Sequence, residues 1–218
     1  LPGLRDVMDD FPACMIPLCA QEDREKFADI YRKIERGEKE IRADVWIRTA
    51  PDMPLRLQRI IYSVEDTDGV SPTLAYGIGY DITEQALERE RFRKMTQAML
   101  SASPEAIGSY HLNITQNKFL GGSSSSFIEG EFSAGTADEF IESECSLIIN
   151  PEKKEEYRRK FSRKSLILAS LEGKTRFSME YQQCHENGGK TWVRAFFTLL
   201  RNPDTGDIEC ITNAFDIS

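Results

Sequence analysis

The sequence predicts an α+β fold present twice, with the two copies joined by a helix. Arg59-Ile60-Ile61-Tyr62-Ser63-Val64 lies over Arg194-Ala195-Phe196-Phe197-Thr198-Leu199 at an offset of 135 residues (194 − 59). Tyr80-Asp81-Ile82-Thr83 lies over Phe215-Asp216-Ile217-Ser218 at the same offset (216 − 81), with no gap between the blocks. Self-similarity at a fixed spacing marks a duplicated structural unit. Each copy reads as a helix, a Gly turn and three strands separated by turns, and the charged segment 85–102 between the copies reads as a helix.

In the first copy, Glu22-Asp23-Arg24-Glu25-Lys26-Phe27 opens a charged helix, as Glu152-Lys153-Lys154-Glu155-Glu156-Tyr157 does in the second. Gly37 precedes Ile41-Arg42-Ala43-Asp44 as Gly173 precedes Phe177-Ser178-Met179-Glu180, at an offset of 136 (173 − 37). Tyr76-Gly77-Ile78-Gly79-Tyr80 reads as the closing strand. Asp81 stands three residues before Glu84, the spacing of a capping box with Asp in the Ser/Thr role. The connector that follows carries a Glu90–Lys94 pair at i,i+4 and a narrow apolar seam of Phe92, Met95 and Met99.

The second copy begins earlier. Residues 107–114 read as a strand, Thr115-Gln116-Asn117 as a turn, Lys118-Phe119-Leu120 as a short return strand, 121–126 as a flexible polar loop and 137–146 as a short helix. One helix is expected from about 151 to 171, started by Pro151 and ended by Gly173 at its C′ position. Strands are expected over 176–184, with Phe177, Met179 and Tyr181 on one face, and over 192–200 and 208–215. Asn187-Gly188 forms a hairpin turn between the first two, and Asn202-Pro203-Asp204 begins the next turn. The first copy shows no counterpart of the opening strand pair, so the native protein is expected to continue upstream of Leu1. The expected domains are an N-terminally incomplete unit over 1–83, a connector helix over 84–102 and a complete unit over 103–218.

The 218 residues include 28 basic and 36 acidic side chains, a net charge of −8, which argues against nucleic acid or an anionic membrane as the main partner. No secretory segment and no apolar run long enough to span a bilayer is visible. The five cysteines are odd in number and form no CxxC pair. They read as buried or free thiols in a reducing, cytoplasmic compartment.

The pattern resembles the PAS domain with its C-terminal PAC segment. The residues that carry the likeness are Pro151-Glu152-Lys153-Lys154, Gly173, Gly188-Gly189-Lys190-Thr191-Trp192-Val193 and Phe215-Asp216-Ile217-Ser218. In the first copy they are Gly37 and Gly79-Tyr80-Asp81-Ile82-Thr83-Glu84. The resemblance covers most of 12–86 and nearly all of 103–218. It implies a five-stranded antiparallel sheet with helices across one face, in tandem. It also implies a sensory or dimerising module of a bacterial signalling protein, set before a histidine kinase or a cyclic-di-GMP enzyme.

That resemblance makes Asp81, Thr83, Glu84, Asp216 and Ser218 the expected signal-coupling residues. Arg59 and Arg194 hold the same strand position, either as cations for a carboxylate ligand or as partners in surface salt bridges. Tyr181, Trp192, Arg194, Phe196 and Asn213 are the candidate pocket. Other motifs lack their context. Gly189-Lys190-Thr191 has Cys184 where a phosphate loop needs its first Gly, and a strand follows it; Gly77-Ile78-Gly79 lies within a strand. His111, on an opening strand, and His185, at a hairpin, are poorly placed as haem ligands. Cys145, in Glu142-Ser143-Glu144-Cys145-Ser146-Leu147, lacks the context of a flavin-reactive cysteine. No catalytic or metal motif is visible, so neither enzymatic activity nor a cofactor is expected. The leading expectation is a non-catalytic regulatory region, a homodimer through the connector helix and sheet surface. The alternatives are a small-molecule receptor with its pocket in 103–218, a purely dimerising scaffold and an enzyme fragment.

Overall fold

The computed structural model describes residues 14–65, 74–101, 106–124, 135–184 and 189–218. His185, the Asn187-Gly188 turn and the end of the 121–126 loop lie outside the described residues. The chain divides into two compact units, 1–88 and 89–218.

In the first unit, helix α1 (Arg24–Glu35) is followed by strands β1 (Glu40–Ile47), β2 (Arg56–Glu65) and β3 (Leu74–Asp81), which form an antiparallel sheet in the order β1-β2-β3. Phe27, Ile30, Tyr31 and Ile34 recur at helical spacing and turn one stripe of α1 onto the sheet. There they pack with Ile41, Val45, Ile47, Ile60, Tyr62 and Val64. Helix α2 (Thr83–Ser101) follows directly from β3.

In the second unit, strands β4 (Ala106–Asn113), β5 (Lys118–Ser124), β6 (Arg176–Cys184), β7 (Lys190–Arg201) and β8 (Ile208–Asp216) form an antiparallel sheet in the order β5-β4-β8-β7-β6. β5 is longer than the three residues expected, because 121–124 of the expected loop continue the strand. A bulge between His111 and Leu112 brings Gly121 opposite His111, with Gly121 at φ +140°, where a side chain would be strained. Helix α3 (Ala137–Leu147) starts from a complete capping box of Thr136 and Glu139.

The single helix expected over 151–171 is two helices, α4 (Pro151–Phe161) and α5 (Arg163–Leu171). The break has a local cause. Ser162 takes an extended conformation (φ −58°, ψ 146°), and its hydroxyl accepts the Ser165 N–H, so it caps a new helix. Arg163, just inside α5, donates to the Ile114 carbonyl at 2.8 Å and pairs with Asp138 at 3.0 Å, tying the β4–β5 turn to α3.

The helices bury one face of the second sheet. Phe161 stacks on Phe197 with ring centroids 3.8 Å apart, and Tyr157 meets Tyr181 and Phe197 edge-on at 5.9 Å. Along β7 the alternation is strict: Thr191, Val193, Ala195, Phe197 and Leu199 are buried, while Trp192, Arg194 and Phe196 are exposed.

The duplication holds in the hydrogen bonds. Gly37 (φ +73°) and Gly173 (φ +78°) each follow a helix in the left-handed region. The next residue's N–H, from Glu38 and from Lys174, returns to the carbonyl of Lys33 and of Ala169, closing the same helix-ending loop twice. Each sheet is also bordered by the same isolated antiparallel bridge, Cys19–Ile47 beside β1 and Ile148–Gln183 beside β6.

Candidate functional site

Both sheets end in the same hydrogen-bonded junction, and these junctions are the candidate functional sites. In the first unit, the Ile82 N–H donates to the Leu57 carbonyl at 2.9 Å, extending the β2–β3 ladder by one rung. The Thr83 hydroxyl accepts the Leu57 N–H at 2.8 Å and donates to Asp81 Oδ1 at 2.6 Å. The same Oδ1 accepts the Thr83 N–H at 2.9 Å. Thr83 is buried and is the first residue of α2. One side chain thus holds the start of β2, the end of β3 and the beginning of the helix together.

The second unit repeats three of these bonds at an offset of 135. The Ile217 N–H donates to the Trp192 carbonyl at 2.9 Å, the Ser218 hydroxyl accepts the Trp192 N–H at 3.0 Å, and Asp216 Oδ1 accepts the Ser218 N–H at 2.8 Å. Ser replaces Thr with the hydroxyl kept, which is the part of the side chain the junction uses.

The chemistry differs from a capping box. Asp81 is the last residue of β3, and Ile82 supplies the first helical acceptor, receiving the Ala86 N–H at 2.9 Å. The Asp81 carboxylate instead bonds two residues on, in an Asx-type turn. Glu84 is exposed, and among the described residues no hydrogen bond returns from its carboxylate to Asp81. The Thr83 hydroxyl and then the Thr83 N–H hold the Asp81 carboxyl below the usual carboxylate range. Leu57 was not singled out from the sequence, and Trp192 was named there for its side chain, as a pocket candidate, not for the backbone that completes the second junction. Their shared 135-residue offset (192 − 57) was the available signal, masked because their side chains differ.

The five pocket candidates do not converge. Tyr181 is buried under the helices, and burial pushes its hydroxyl well above the ordinary tyrosine range. Trp192, Arg194 and Phe196 point from the opposite face of the sheet, and Asn213, paired with Phe196 across the strands, bonds Ser109 on β4 at 2.7 Å. The arginines already have carboxylate partners. Arg59 grips Asp44 through two 2.8 Å bonds, and Arg194 Nε bonds Glu180 at 2.7 Å; each pair faces directly across neighbouring strands. The salt-bridge alternative for these two residues is the one the geometry matches.

His111 lies against Glu209 at 2.5 Å. Burial works to raise the Glu209 carboxyl, but the bonds from His111 and Asn202 outweigh it and hold the group below its ordinary value. None of the five cysteines forms a disulfide, and burial pushes Cys19 up to about 11 and Cys210 up to about 12. Cys145 is fully buried, with its thiol raised by burial, which disfavours the thiolate a reactive cysteine needs. Among the described residues, no group of three or more His, Cys, Asp or Glu could hold a metal, and no helix is long and apolar enough to cross a membrane.

No family model and no curated protein matches the sequence. Among solved structures, the chain is similar to the N-terminal domain of a diguanylate cyclase with PAS/PAC sensor from Marinobacter aquaeolei, at 19% identity over 51% of this chain and 94% of that one, with a TM-score of 0.37. It is similar to an RNA-binding light-oxygen-voltage receptor at 11% identity, over 94% and 84% of the two chains, with a TM-score of 0.33. A third, an uncharacterized protein from Mycobacterium tuberculosis, shows 10% identity over 91% and 54%, with a TM-score of 0.32.

Proposed function

We propose that this chain is a non-catalytic tandem PAS-like regulatory region of a bacterial signal-transduction protein, acting on an output domain of the cyclic-di-GMP or histidine-kinase type. The observation that carries this reading is the twice-built junction. In each unit an Asp and a Thr or Ser hydroxyl bind the last strand and its neighbour to the point where the chain leaves the sheet. A displacement of β3 relative to β2 cannot occur without lengthening the Thr83 bonds, so strain in the sheet reaches the first turn of α2.

A scaffold that works through its own packing and through dimerisation is the second reading. It is favoured by the second unit's interior, where Tyr157, Phe161, Tyr181 and Phe197 occupy the space between sheet and helices with their own rings. A receptor for a small metabolite would need those rings to part. Native mass spectrometry of the purified chain separates these readings, because a co-purifying small molecule in 103–218 favours the receptor.

The relay is tested with Thr83→Val, which keeps the side-chain shape and removes the hydroxyl. Hydrogen exchange in the first turns of α2 is expected to rise while β1 stays protected. Unchanged exchange across residues 83–90 overturns the relay.

A further inference from the structure

Helix α3 turns one stripe inward. Phe140, Ile141, Cys145 and the C-capping residue Ile148 recur at helical spacing and are buried in the second unit's core. Glu144 stands in the same stripe, four residues after Phe140 and four before Ile148, as its single charged member. Its charge acts inward. Burial, and after it Glu144, raises the Tyr181 hydroxyl; burial, Tyr181 and Glu144 raise that of Tyr157. Both tyrosines are buried beneath the helices.

Among the described residues no cation compensates Glu144, which has neither a hydrogen bond nor an ion pair. On α4, Lys154 donates to the Ser146 carbonyl at 3.1 Å, and Arg158 pairs with Glu142 and Glu155. On β5, Lys118 acts on Asp207. The other titratable groups around Glu144 and its two tyrosines are Cys145 on α3, Tyr110 on β4 and Cys210 on β8, none of them a cation. A carboxyl in such a place stays there by keeping its proton, because an unpaired buried charge is costly.

The last turn of α3 leads straight to the border of the sheet. Ile148 forms the bridge to Gln183, and the Ile149 N–H donates to the Gln182 carbonyl at 2.9 Å. We propose that Glu144 is a proton-operated latch: protonated, it lets the C-terminal half of α3 seat against α4 and β6, and loss of its proton to water releases that half together with the bridge behind it. Burial raises the seated carboxyl to about 7, whereas a released helix returns it to its ordinary 4.5. The seated form is therefore at its most stable below about pH 4.5. Release is favoured about tenfold more for each pH unit between those two values and levels off above about 7. The latch uses neither junction and no dimer, so its failure leaves the proposed relay standing.

The test is residue-resolved hydrogen exchange of the 218-residue chain and of Glu144→Gln between about pH 5 and pH 8, with and without low urea. Dividing each rate by that of the variant at the same pH cancels the chemical pH dependence of exchange. At residues 144–147 and at Ile149 the ratio is expected to rise about tenfold per pH unit and to flatten above about 7. Those amides are expected to exchange faster than Phe197 on β7 and with little urea dependence, the mark of a local opening. A ratio that stays flat overturns the proposal, because any pH dependence of α3 would then belong to another group, such as His111. One shared rate and one shared urea slope for α3, Ile149 and Phe197 at every pH also overturns it, because Glu144 would then bear only on the stability of the whole unit.

Discussion

The Thr83 hydroxyl serves two partners at once, accepting from the Leu57 N–H and donating to the Asp81 carboxylate. Thr83→Val leaves the Leu57 N–H in a part-buried site without its partner. An unsatisfied group of that kind costs about 1–3 kcal/mol. Thr83→Ser keeps the hydroxyl and is expected to retain most of that stability, as Ser218 does in the second unit. Urea unfolding of the two variants checks the difference. Glu144 offers a pH-dependent test. It is only partly exposed on α3, and desolvation raises its carboxyl to about 7. The folded protein therefore holds that proton where the unfolded chain, with an ordinary value of 4.5, has released it. The group's contribution is fully present below about pH 4.5 and is lost as pH rises through about 7. Glu144→Gln is expected to raise the melting temperature at pH 8 and to change it little at pH 4.5. A gain of equal size at both pH values would contradict the assignment.

At the scale of the element, helix ends and strand faces decide the outcome. Gly37 and Gly173 both sit at positive φ with open space around the missing side chain. Replacing either by Ala costs only the conformational strain, about 1–2 kcal/mol, without a clash. Gly77 is different. It lies under the Tyr62 ring, where an added Cβ would stand 2.4 Å from Cε1. Gly77→Ala must displace a ring already packed toward Tyr31, and overpacking of that kind costs about 1–3 kcal/mol. Chemical unfolding of the three variants is expected to show all three losses. The cross-strand pairs Asp44–Arg59 and Glu180–Arg194 should matter much less. Both are open to solvent, the first partly and the second more so, and double-mutant cycles are expected to give small couplings that shrink with added salt.

At the scale of the whole molecule, the duplication has a measurable consequence. The two units have separate cores, one built around Phe27, Ile30 and Val45, the other around Tyr157, Phe161 and Phe197. Substitutions that share no partners add within about 0.5 kcal/mol. Gly37→Ala and Gly173→Ala are therefore expected to act independently. Hydrogen exchange read segment by segment should show the first substitution only in 14–88 and the second only in 106–218. Destabilisation of both units by either substitution would mean that they unfold as one.

Repetition and helix ends were legible in the linear sequence. Backbone hydrogen bonds follow position in the chain, so two stretches with the same spacing of Gly, Asp and hydroxyl residues built the same helix stop and the same junction. Strand positions came from alternation for the same reason. Ser162 broke a helix that the 151–171 pattern ran through, because one hydroxyl in an extended residue outweighed continuous helical spacing. The face of each strand was a different matter. β7 is apolar on both sides, so period two could not say that Trp192, Arg194 and Phe196 look outward while Tyr181, on β6, looks inward. That depends on where the helices lie, and so does the separation of the pocket candidates. The sequence by itself determined the repeated succession of strands and the Asp and hydroxyl residues of each junction, since these are local and periodic. Only the tertiary structure decided which face is covered and which carboxylate each arginine meets, because those follow from contacts between residues far apart in the chain.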